Sequence, residues 1–379
     1  MKTGRSGVRR TPSRRVEERD VAVVRAVSAW FREHQRPLPW READPVRGSG
    51  YRDAYRSLVS EFMLQQTQVS RVLEKFGPFL GEFPTVHALA RAHEDEVLAA
   101  WTGLGYYRRA RLLHAAAKAI VERHAGVVPE TLTELEALPG VGRYTAGAIA
   151  SMAHGGAAAL VDTNVSRVLL RVEGKDLGVK ESVAWAWERA HTLARTAHAT
   201  RGTSAGVFNE GLMELGALVC VSGTPRCGEC PLARTAPDLC IAKRRGLEGR
   251  IPRAAAKAER TAVTFVMVVA RNRTGRVLLE QRPSKGLWAG LWQPPTLELP
   301  DPLDEPTAPV LRRALKLTGA HGLHRTSEFV FKTTHREVRC VVWACGLSGT
   351  AVPRKRRWVA QSELRTFGLS SPVRRVLGC

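Results

Sequence analysis

The chain has 379 residues, 44% of them hydrophobic, which is enough for roughly two or three domains with packed cores. Its 58 lysine and arginine residues outnumber 36 acidic ones, and the formal net charge of +22 favours nucleic acid as a partner because a polyanion offsets self-repulsion. No apolar run approaches the ~18 residues of a membrane-spanning helix, so a membrane partner is not expected.

Residues 1–20 are rich in arginine and lack the apolar stretch of a secretory signal. We predict a disordered basic tail in this segment. We also expect a cytoplasmic protein that associates with the nucleoid through DNA. In that reducing compartment the seven cysteines are not expected to form disulfides.

Residues 21–240 carry a helical pattern, because apolar side chains recur at three- and four-residue steps and glycine or proline interrupts the runs. We predict an all-α region of roughly ten helices there. Residues 241–259 are basic and rich in alanine, with little apolar periodicity, and are predicted to be a linker. From residue 260 to 379 apolar residues alternate, as at Val263, Phe265 and Met267, which predicts strands of a small α+β domain.

Two carboxylates lie in informative surroundings. Glu61 is flanked by Leu58-Val59 and Phe62-Met63, where a solvated helix face is not expected, so a functional role is favoured over a solvated one. Asp162 lies in Val161-Asp162-Thr163-Asn164-Val165. A pair of carboxylates, one protonated and one ionised, is the chemistry needed to break a glycosidic bond.

A glycine-rich turn, Leu138-Pro139-Gly140-Val141-Gly142, lies between two helical patterns. Glycine permits positive φ and close approach, so the backbone N–H groups of Gly140, Val141 and Gly142 can face a phosphate at a helix N-terminus. The alternative is an ordinary connection between two helices. The paired glycines favour phosphate binding to DNA.

Four cysteines are clustered with the spacing C-x6-C-x2-C-x9-C: Cys220, Cys227, Cys230 and Cys240. Clustered thiolates in a reducing compartment indicate a metal. Zinc is the usual occupant of such a site, whereas the long first gap favours an iron–sulfur cluster. The other three cysteines are interpreted as packed or surface thiols.

Several of these segments together resemble the MutY family of adenine DNA glycosylases, a branch of the helix–hairpin–helix glycosylase superfamily that also contains endonuclease III. They are Leu38-Pro39-Trp40-Arg41, Glu61 to Gln68, Trp101 to Tyr107, Leu138 to Gly147, Asp162-Thr163-Asn164 and the cysteine cluster. The resemblance runs from about residue 21 to the C-terminus. It implies a mainly α fold, with a six-helix barrel and an iron–sulfur cluster domain, followed by a Nudix-like α+β domain.

For the catalytic residues, the resemblance implies that Glu61 protonates adenine at nitrogen 7 and then acts as the base for water. Asp162 stabilises the oxocarbenium ion, and Asn164 and Tyr144 orient the two carboxylates. Endonuclease III carries a lysine at the position of Tyr144, which forms a Schiff base with the sugar. Tyrosine cannot form an imine, so a monofunctional glycosylase is expected.

For substrate binding, the resemblance implies that Trp40, Arg41 and Glu210 line the flipped adenine and that Gln66 and Tyr106 wedge into the duplex beside 8-oxoguanine. The family loop Phe-Ser-His, which reads 8-oxoguanine, is replaced here by Thr333-Thr334-His335. Thr334 keeps the hydroxyl and His335 is retained, but the aromatic ring is lost. Weaker discrimination of 8-oxoguanine from guanine is therefore expected.

For the cofactor, the resemblance implies a [4Fe–4S] cluster on the four clustered cysteines. The last spacing is nine residues where the family usually has five, since Thr235 to Asp238 look inserted, and the cluster is expected to survive as a loop bulge. In the Nudix-like domain the acidic Nudix box is absent, because residues 311–315 are basic. The domain is expected to recognise DNA and not to hydrolyse a pyrophosphate.

The predicted function is removal of adenine mispaired with 8-oxoguanine or guanine in double-stranded DNA, by a monomer. Two alternatives remain open. One is a mismatch or oxidised-pyrimidine glycosylase of the same superfamily. The other is a non-catalytic DNA-binding module.

Overall fold

The structure is a computed structural model that describes residues 14–44, 48–253, 259–300, 306–348 and 355–379. It divides into two compact units. Unit 1 contains the described residues within 1–61 and 127–255, and unit 2 those within 62–126 and 256–379. The chain therefore leaves unit 1 after Glu61 and returns to it at Val127.

The first two thirds of the chain are helical, as expected from the apolar periodicity. In chain order the elements are α1 (Arg14–His34), β1 (Ala43–Asp44), β2 (Gly48–Arg52), α2 (Ala54–Leu64), α3 (Val69–Glu82), α4 (Val86–Arg91), α5 (Glu94–Ala100), α6 (Arg108–Arg123), α7 (Leu132–Glu136), α8 (Arg143–Met152), α9 (Thr163–Val172), α10 (Val179–Ala199), α11 (Ala205–Leu218), α12 (Pro231–Thr235) and α13 (Ile241–Arg244). None of the helices in the described ranges is long and apolar enough to cross a membrane.

Helix α11 is the centre of unit 1, and ten of its fourteen residues are buried. Two glycines allow neighbouring helices to approach it closely. A Cβ on Gly211 would lie 2.8 Å from Val27 Cγ1 of α1, and a Cβ on Gly216 would lie 2.7 Å from Asn164 Cβ of α9. The glycines thus bring α1 and α9 against the helix that carries Glu210.

Two predicted boundaries of unit 1 are corrected by the structure. Residues 1–13 of the predicted tail lie outside the described residues, but α1 already begins at Arg14, and Asp20 is buried in an ion pair with Arg189. Of the predicted linker, Ile241–Arg244 form α13, and Ala242 and Ile251 are buried against Leu170 in a small core, which anchors a stretch whose other residues are mostly exposed. Two buried apolar residues are too few to produce a periodic pattern in the sequence.

The C-terminal part of unit 2 is a seven-stranded sheet whose main path runs β5-β4-β3-β8-β7, with β6 beside β3 and β9 beside β4. The elements are β3 (Thr261–Arg271), β4 (Val277–Gln281), β5 (Trp292–Gln293), β6 (Thr296–Pro300), α14 (Ala308–Ala314), β7 (Ala320–Lys332), β8 (Arg336–Leu347), β9 (Arg356–Val359) and α15 (Ser371–Leu377). Strands β3 and β8 are parallel, and the other pairs are antiparallel.

Alternation along β3 separates two cores on opposite faces of this sheet. Phe265 belongs to one core, which α15 covers with Val373, and Val266 belongs to the other, which α14 covers with Leu311. A residue period of two places successive side chains on opposite faces, so both faces are buried. The predicted mainly α fold with a C-terminal α+β domain is confirmed.

Within unit 2 the helices before residue 126 pack against this domain. The hydroxyl of Tyr107 donates to the Leu369 carbonyl at 2.8 Å, and Arg111 donates to the Ala289 carbonyl at 2.7 Å. Sequence analysis assigned residues 62–126 to the helical region 21–240. Tertiary contacts group them with the C-terminal domain instead.

Candidate active site

Glu61 lies near the C-terminal end of α2 and is 7% exposed. Burial raises the pKa of its carboxyl to about 7, and the negative charges of Asp162 and Glu210 add to the increase. A hydrogen bond with Tyr144 opposes the shift. Glu61 Oε2 is buried without a hydrogen-bond partner. This carboxyl can therefore hold a proton near neutral pH.

Asp162 is the N-cap of α9, and its Oδ1 accepts a hydrogen bond from Val165 N at 2.6 Å. Its Oδ2 accepts a second one from Asn164 Nδ2 at 3.1 Å. Burial raises the pKa of Asp162, while these hydrogen bonds to the ionised form oppose the increase. The two carboxyls thus have different surroundings: Glu61 is desolvated with one oxygen unpartnered, and Asp162 is held by donors.

Tyr144 lies in the first turn of α8, directly after the glycine-rich turn. Its hydroxyl donates to Met213 Sδ at 3.3 Å and is also in hydrogen-bonding reach of Glu61. Burial raises the pKa of Tyr144 well above its usual value, and the charges of Glu61 and Asp162 reinforce this. The side chain therefore stays a neutral phenol beside the carboxyl pair.

Glu210 of α11 is held by two arginines. Arg41 Nε donates to its Oε1 at 3.0 Å, and Arg52 Nε donates to its Oε2 at 2.9 Å. One turn further along, Glu214 binds Arg41 and Arg36. Burial works to raise the pKa of Glu214, but hydrogen bonds from the two arginines outweigh it and lower that pKa to about 2.

Arg52, Arg36 and Glu214 were not predicted from the sequence. A signal for them was present in the spacing of Glu210 and Glu214, since two acids four residues apart on a largely apolar helix share one face and need cationic partners. Which arginines supply them depends on tertiary contacts, because the partners are more than 150 residues away in sequence.

A cavity of about 610 Å³ opens beside Glu210 in unit 1. Its lining includes Arg41, Arg52, Ser151, Met152 and Glu210, but Glu61 is not among the lining residues that the structure describes. The volume is in the range of small-molecule sites. Trp40, the other residue predicted for the base pocket, is buried in the short 3₁₀ turn Pro39–Arg41.

The glycine-rich turn connects α7 to α8 as predicted. Gly140 has a φ of 77°, and Val141 is buried and anchors the turn. Gly140 and Gly142 are exposed, so their backbone can be approached from solvent. No side chain caps the N-terminus of α8, which leaves its first N–H groups available to an anion.

The four clustered cysteines follow α11. All four are free thiols. Burial raises the pKa values of Cys227, Cys230 and Cys240, and electrostatic interaction with Cys220 adds to each increase. Among the described residues no group of three or more His, Cys, Asp or Glu side chains is arranged to hold a metal ion. The donor chemistry nevertheless fits an iron–sulfur cluster, since four thiols lie within electrostatic reach of one another.

The predicted insertion between Cys230 and Cys240 is folded. The four residues Thr235 to Asp238 span the end of α12 and the 3₁₀ turn Pro237–Leu239, and the flanking Leu232 and Leu239 pack into the unit 1 core. Thr235 and Asp238 themselves are exposed, so the extra residues lie at the surface in a short helical segment that their apolar neighbours anchor.

Two arginines of α9 connect this helix to the cysteine segment. Arg167 donates to the Cys220 carbonyl at 2.8 Å and to Asn164 Oδ1 at 2.8 Å, and Asn164 in turn donates to Asp162. Arg171 donates to Cys220 Sγ at 3.4 Å and to the Val221 carbonyl. The sequence showed these arginines only as a pair four residues apart.

The residues predicted to read the duplex lie in unit 2. Gln66 and Tyr106 are exposed and have φ values of 55° and 47°. The hydroxyls of Tyr106 and Thr334 are hydrogen-bonded to each other. His335 is exposed in the connection between β7 and β8.

Comparison with known proteins agrees with this organisation. Residues 59–183 match the family described as HhH-GPD superfamily base excision DNA repair protein, and residues 266–378 match the NUDIX domain. The adenine DNA glycosylase of Mycobacterium tuberculosis (strain ATCC 25618 / H37Rv) is 44% identical over 205 residues, covering 54% of this chain and 64% of that protein. A thermostable thymine-DNA glycosylase superposes with a TM-score of 0.51 and 26% identity over 61% of this chain and 99% of that one.

The adenine DNA glycosylase of Homo sapiens is similar along most of its length. It is 34% identical over 422 residues, and the alignment covers 94% of this chain and 74% of the human protein. The family recognised from the sequence motifs is thereby confirmed. An identity of this extent, which spans both the helical and the Nudix-like parts, shows that the chain belongs to the MutY-type adenine DNA glycosylases, enzymes of base excision repair.

Proposed function

We propose that this protein removes adenine paired with 8-oxoguanine or guanine in double-stranded DNA, by hydrolysis and without cutting the strand. The observation that carries the proposal is the pKa of about 7 of the buried Glu61 carboxyl, which lies close enough to Asp162 for their charges to interact. An excised purine leaves as an anion unless it is protonated, so catalysis requires an acid that is still protonated near neutral pH.

In the proposed reaction the adenine is flipped out of the duplex and Glu61 transfers its proton to nitrogen 7. The bond between nitrogen 9 and the sugar breaks, its electron pair goes to the base, and the sugar becomes an oxocarbenium ion. Ionised Asp162, held by Asn164, stabilises that cation. Glu61, now a carboxylate, accepts a proton from the water that attacks the anomeric carbon, and Tyr144 orients the pair.

Base and backbone binding follow from the same site. Glu210, fixed by Arg41 at 3.0 Å, offers carboxylate oxygens that can accept from the exocyclic amine of adenine. We assign Trp40 to the wall of this base pocket. The N–H groups at Gly140, Val141 and Gly142 would bind a phosphate, as exposed backbone at a helix N-terminus does.

Recognition of the partner base is assigned to Gln66, Tyr106, Thr334 and His335. Support comes from their exposure and from the hydrogen bond between Tyr106 and Thr334. The net charge of +22 is consistent with a monomer that acts on nucleoid DNA in the cytoplasm.

We assign a [4Fe–4S] cluster to Cys220, Cys227, Cys230 and Cys240. When bound, such a cluster would supply four metal–thiolate bonds that hold this segment in place. Purified protein is expected to show broad visible absorption and about four irons per chain. A colourless protein that contains one zinc would overturn the assignment.

The test of the function is single-turnover cleavage of three duplexes, with adenine opposite 8-oxoguanine, adenine opposite guanine, and thymine opposite guanine. The third duplex is included because the thymine-DNA glycosylase shares the fold. Release of adenine, with strand breaks only after alkali and little trapping by borohydride, is the expected result. Release of thymine instead, or efficient borohydride trapping, would contradict the proposal.

A further inference from the structure

Two exposed side chains of unit 2 are carried by strained backbone. Gln66 and Tyr106 have φ values of 55° and 47°, in the left-handed region that L-residues with a Cβ rarely adopt. Such a conformation costs on the order of 1–2 kcal/mol per residue and persists only where the surroundings enforce it. The two residues lie 40 positions apart, in separate loops, after α2 and before α6.

One buried side chain connects these loops. At the C-terminal end of α2 the Arg109 guanidinium donates to the carbonyls of Phe62 and Met63 at 2.9 and 2.8 Å, and in the first loop it donates to the Gln65 carbonyl and to Thr67 Oγ1 at 2.9 Å. On the second loop it donates to the carbonyls of Leu104 and Gly105 at 3.1 and 3.2 Å. In the first loop the acceptors lie on both sides of Gln66, and in the second loop they directly precede Tyr106.

The aromatic surroundings add to this arrangement. The guanidinium carbon lies 5.3 Å from the centre of the Tyr106 ring and 5.5 Å from that of Trp101. Trp101 itself donates from Nε1 to the Gly105 carbonyl at 3.1 Å. The same cation therefore holds the backbone directly before Tyr106 and lies against its ring.

Only a guanidinium fits this site. Arg109 is 7% exposed, and burial lowers its pKa to about 10, so the charge is retained at neutral pH. A planar fork with several N–H groups can reach six acceptors in two loops, whereas a lysine ammonium has three donors at one point. With lysine, several buried carbonyls would lose their partner.

We propose that Arg109 is a positioning residue that holds the two loops in the strained conformation from which Gln66 and Tyr106 enter the duplex at a mispair. This inference rests on the assignment of those two residues to DNA contact in the proposed function. Arg109 touches neither base nor sugar in this arrangement. Its effect is on the fraction of protein whose two probing side chains are correctly placed before DNA binds.

The test compares Arg109→Lys with Arg108→Lys in the full-length protein. Arg108 is the exposed neighbour, so its variant makes the same chemical change without touching the loops. One duplex carries 2-aminopurine opposite 8-oxoguanine and reports extrusion by fluorescence. The other carries a tetrahydrofuran abasic analogue at that position and has no base to extrude.

Arg109→Lys is expected to lower affinity and the extrusion signal on the first duplex by about tenfold or more, because fewer molecules hold both probes in place. Affinity for the abasic-analogue duplex should change much less, and Arg108→Lys should behave as wild type. Equal losses on both duplexes would show that Arg109 only supports the fold. Wild-type extrusion by Arg109→Lys, or an equal loss in Arg108→Lys, would also overturn the proposal.

Thr67→Val serves if Arg109→Lys does not fold. It removes one acceptor of Arg109 in the first loop. The ratio of affinity for the 2-aminopurine duplex to affinity for the abasic-analogue duplex is expected to fall, as in Arg109→Lys, but by a smaller factor. An unchanged ratio in this variant would contradict the proposal. If the wild-type protein itself neither binds nor cleaves the adenine:8-oxoguanine duplex, the proposed function fails. The affinity and extrusion signal of Arg109→Lys relative to wild type are then measured on the mispair that the wild type does prefer.

Discussion

Glu61 in unit 1 and Arg109 in unit 2 are both buried, but in opposite surroundings. Glu61 has no cationic partner among the residues that the structure describes, and its desolvated carboxyl has a pKa of about 7. In unit 2, Arg109 is buried with six hydrogen-bond acceptors and keeps its charge, with a pKa of about 10. One unit therefore holds a group that changes protonation near neutral pH, and the other holds a group that does not.

This difference separates chemistry from recognition. A proton donor must lose and regain its proton, so its surroundings leave the charged form under-stabilised. A residue that shapes a binding loop must keep one charge state, and the two terminal nitrogens of Arg109 are accordingly surrounded by acceptors, although its Nε is buried without a partner among the described residues. Variants in unit 1 are therefore expected to change the rate and pH dependence of excision, and variants in unit 2 the choice of duplex.

The largest expected effect is that of Glu61→Gln. The amide keeps the shape but has no transferable proton, so single-turnover adenine release should fall by about 10²–10⁴-fold while duplex affinity is retained. Glu122→Gln, an exposed acid on α6, is the control and should be unaffected. Excision at the wild-type rate by Glu61→Gln would show that Glu61 is not the proton donor, and the contrast with Arg109 would then fail.

The second effect is on stability and uses the same variant. Raising a carboxyl pKa from 4.5 to about 7 means that the folded state holds a proton which the unfolded state has lost, so the stability cost grows between these pH values and is constant above. At about 1.4 kcal/mol per unit this is about 3 kcal/mol. The free energy of unfolding of Glu61→Gln minus that of the wild type, measured with denaturant, should therefore rise by about that amount from pH 4.5 to 8. A difference independent of pH would show that Glu61 is not perturbed.

The third effect is the pH profile of excision. Because Glu61 must be protonated to act, the single-turnover rate should fall about tenfold per pH unit above a midpoint near 7. The fraction of duplex bound should be followed at each pH to exclude a binding effect. The residual activity of Glu61→Gln should not show this decrease in rate above pH 7. A wild-type rate that is flat up to pH 9 would mean that another group donates the proton.

The smallest effect concerns the exposed hydroxyl pair of unit 2. Tyr106→Phe and Thr334→Val each remove the hydrogen bond between them, and each should reduce the preference for 8-oxoguanine over guanine by about 2–10-fold. Thr334→Ser keeps the hydroxyl and is the matched control. The double variant should lose no more than either single one, and additive losses would show that the two residues act independently.

Much of the helical unit was predictable, because periodicity, glycine-rich turns and short polar motifs are local properties of the chain. The N-cap role of Asp162 was not predicted, although an aspartate directly before an apolar-periodic segment is a known helix start signal. The anchoring of segment 241–253 was not predictable, because its two buried residues contact Leu170, about 70–80 residues away. The helical turns between Cys230 and Cys240 were missed for a similar reason, since Leu232 and Leu239 pack against the core of unit 1.

The sequence by itself determined which groups are available: an acid between apolar neighbours, a second carboxylate at Asp162, a tyrosine after the turn, and four clustered cysteines. Only the tertiary structure decided their states. The pKa of about 7 for Glu61 comes first from burial in the folded unit, and the charges of Asp162 and Glu210, which approach from other helices, add to it. The two arginines that hold Glu210 are about 160–170 residues away from it in the chain. Likewise, the sequence shows Arg109 beside Tyr106, but the link to the Gln66 loop exists only in the folded chain. Burial and electrostatic interactions depend on distance in space, which local sequence patterns do not contain.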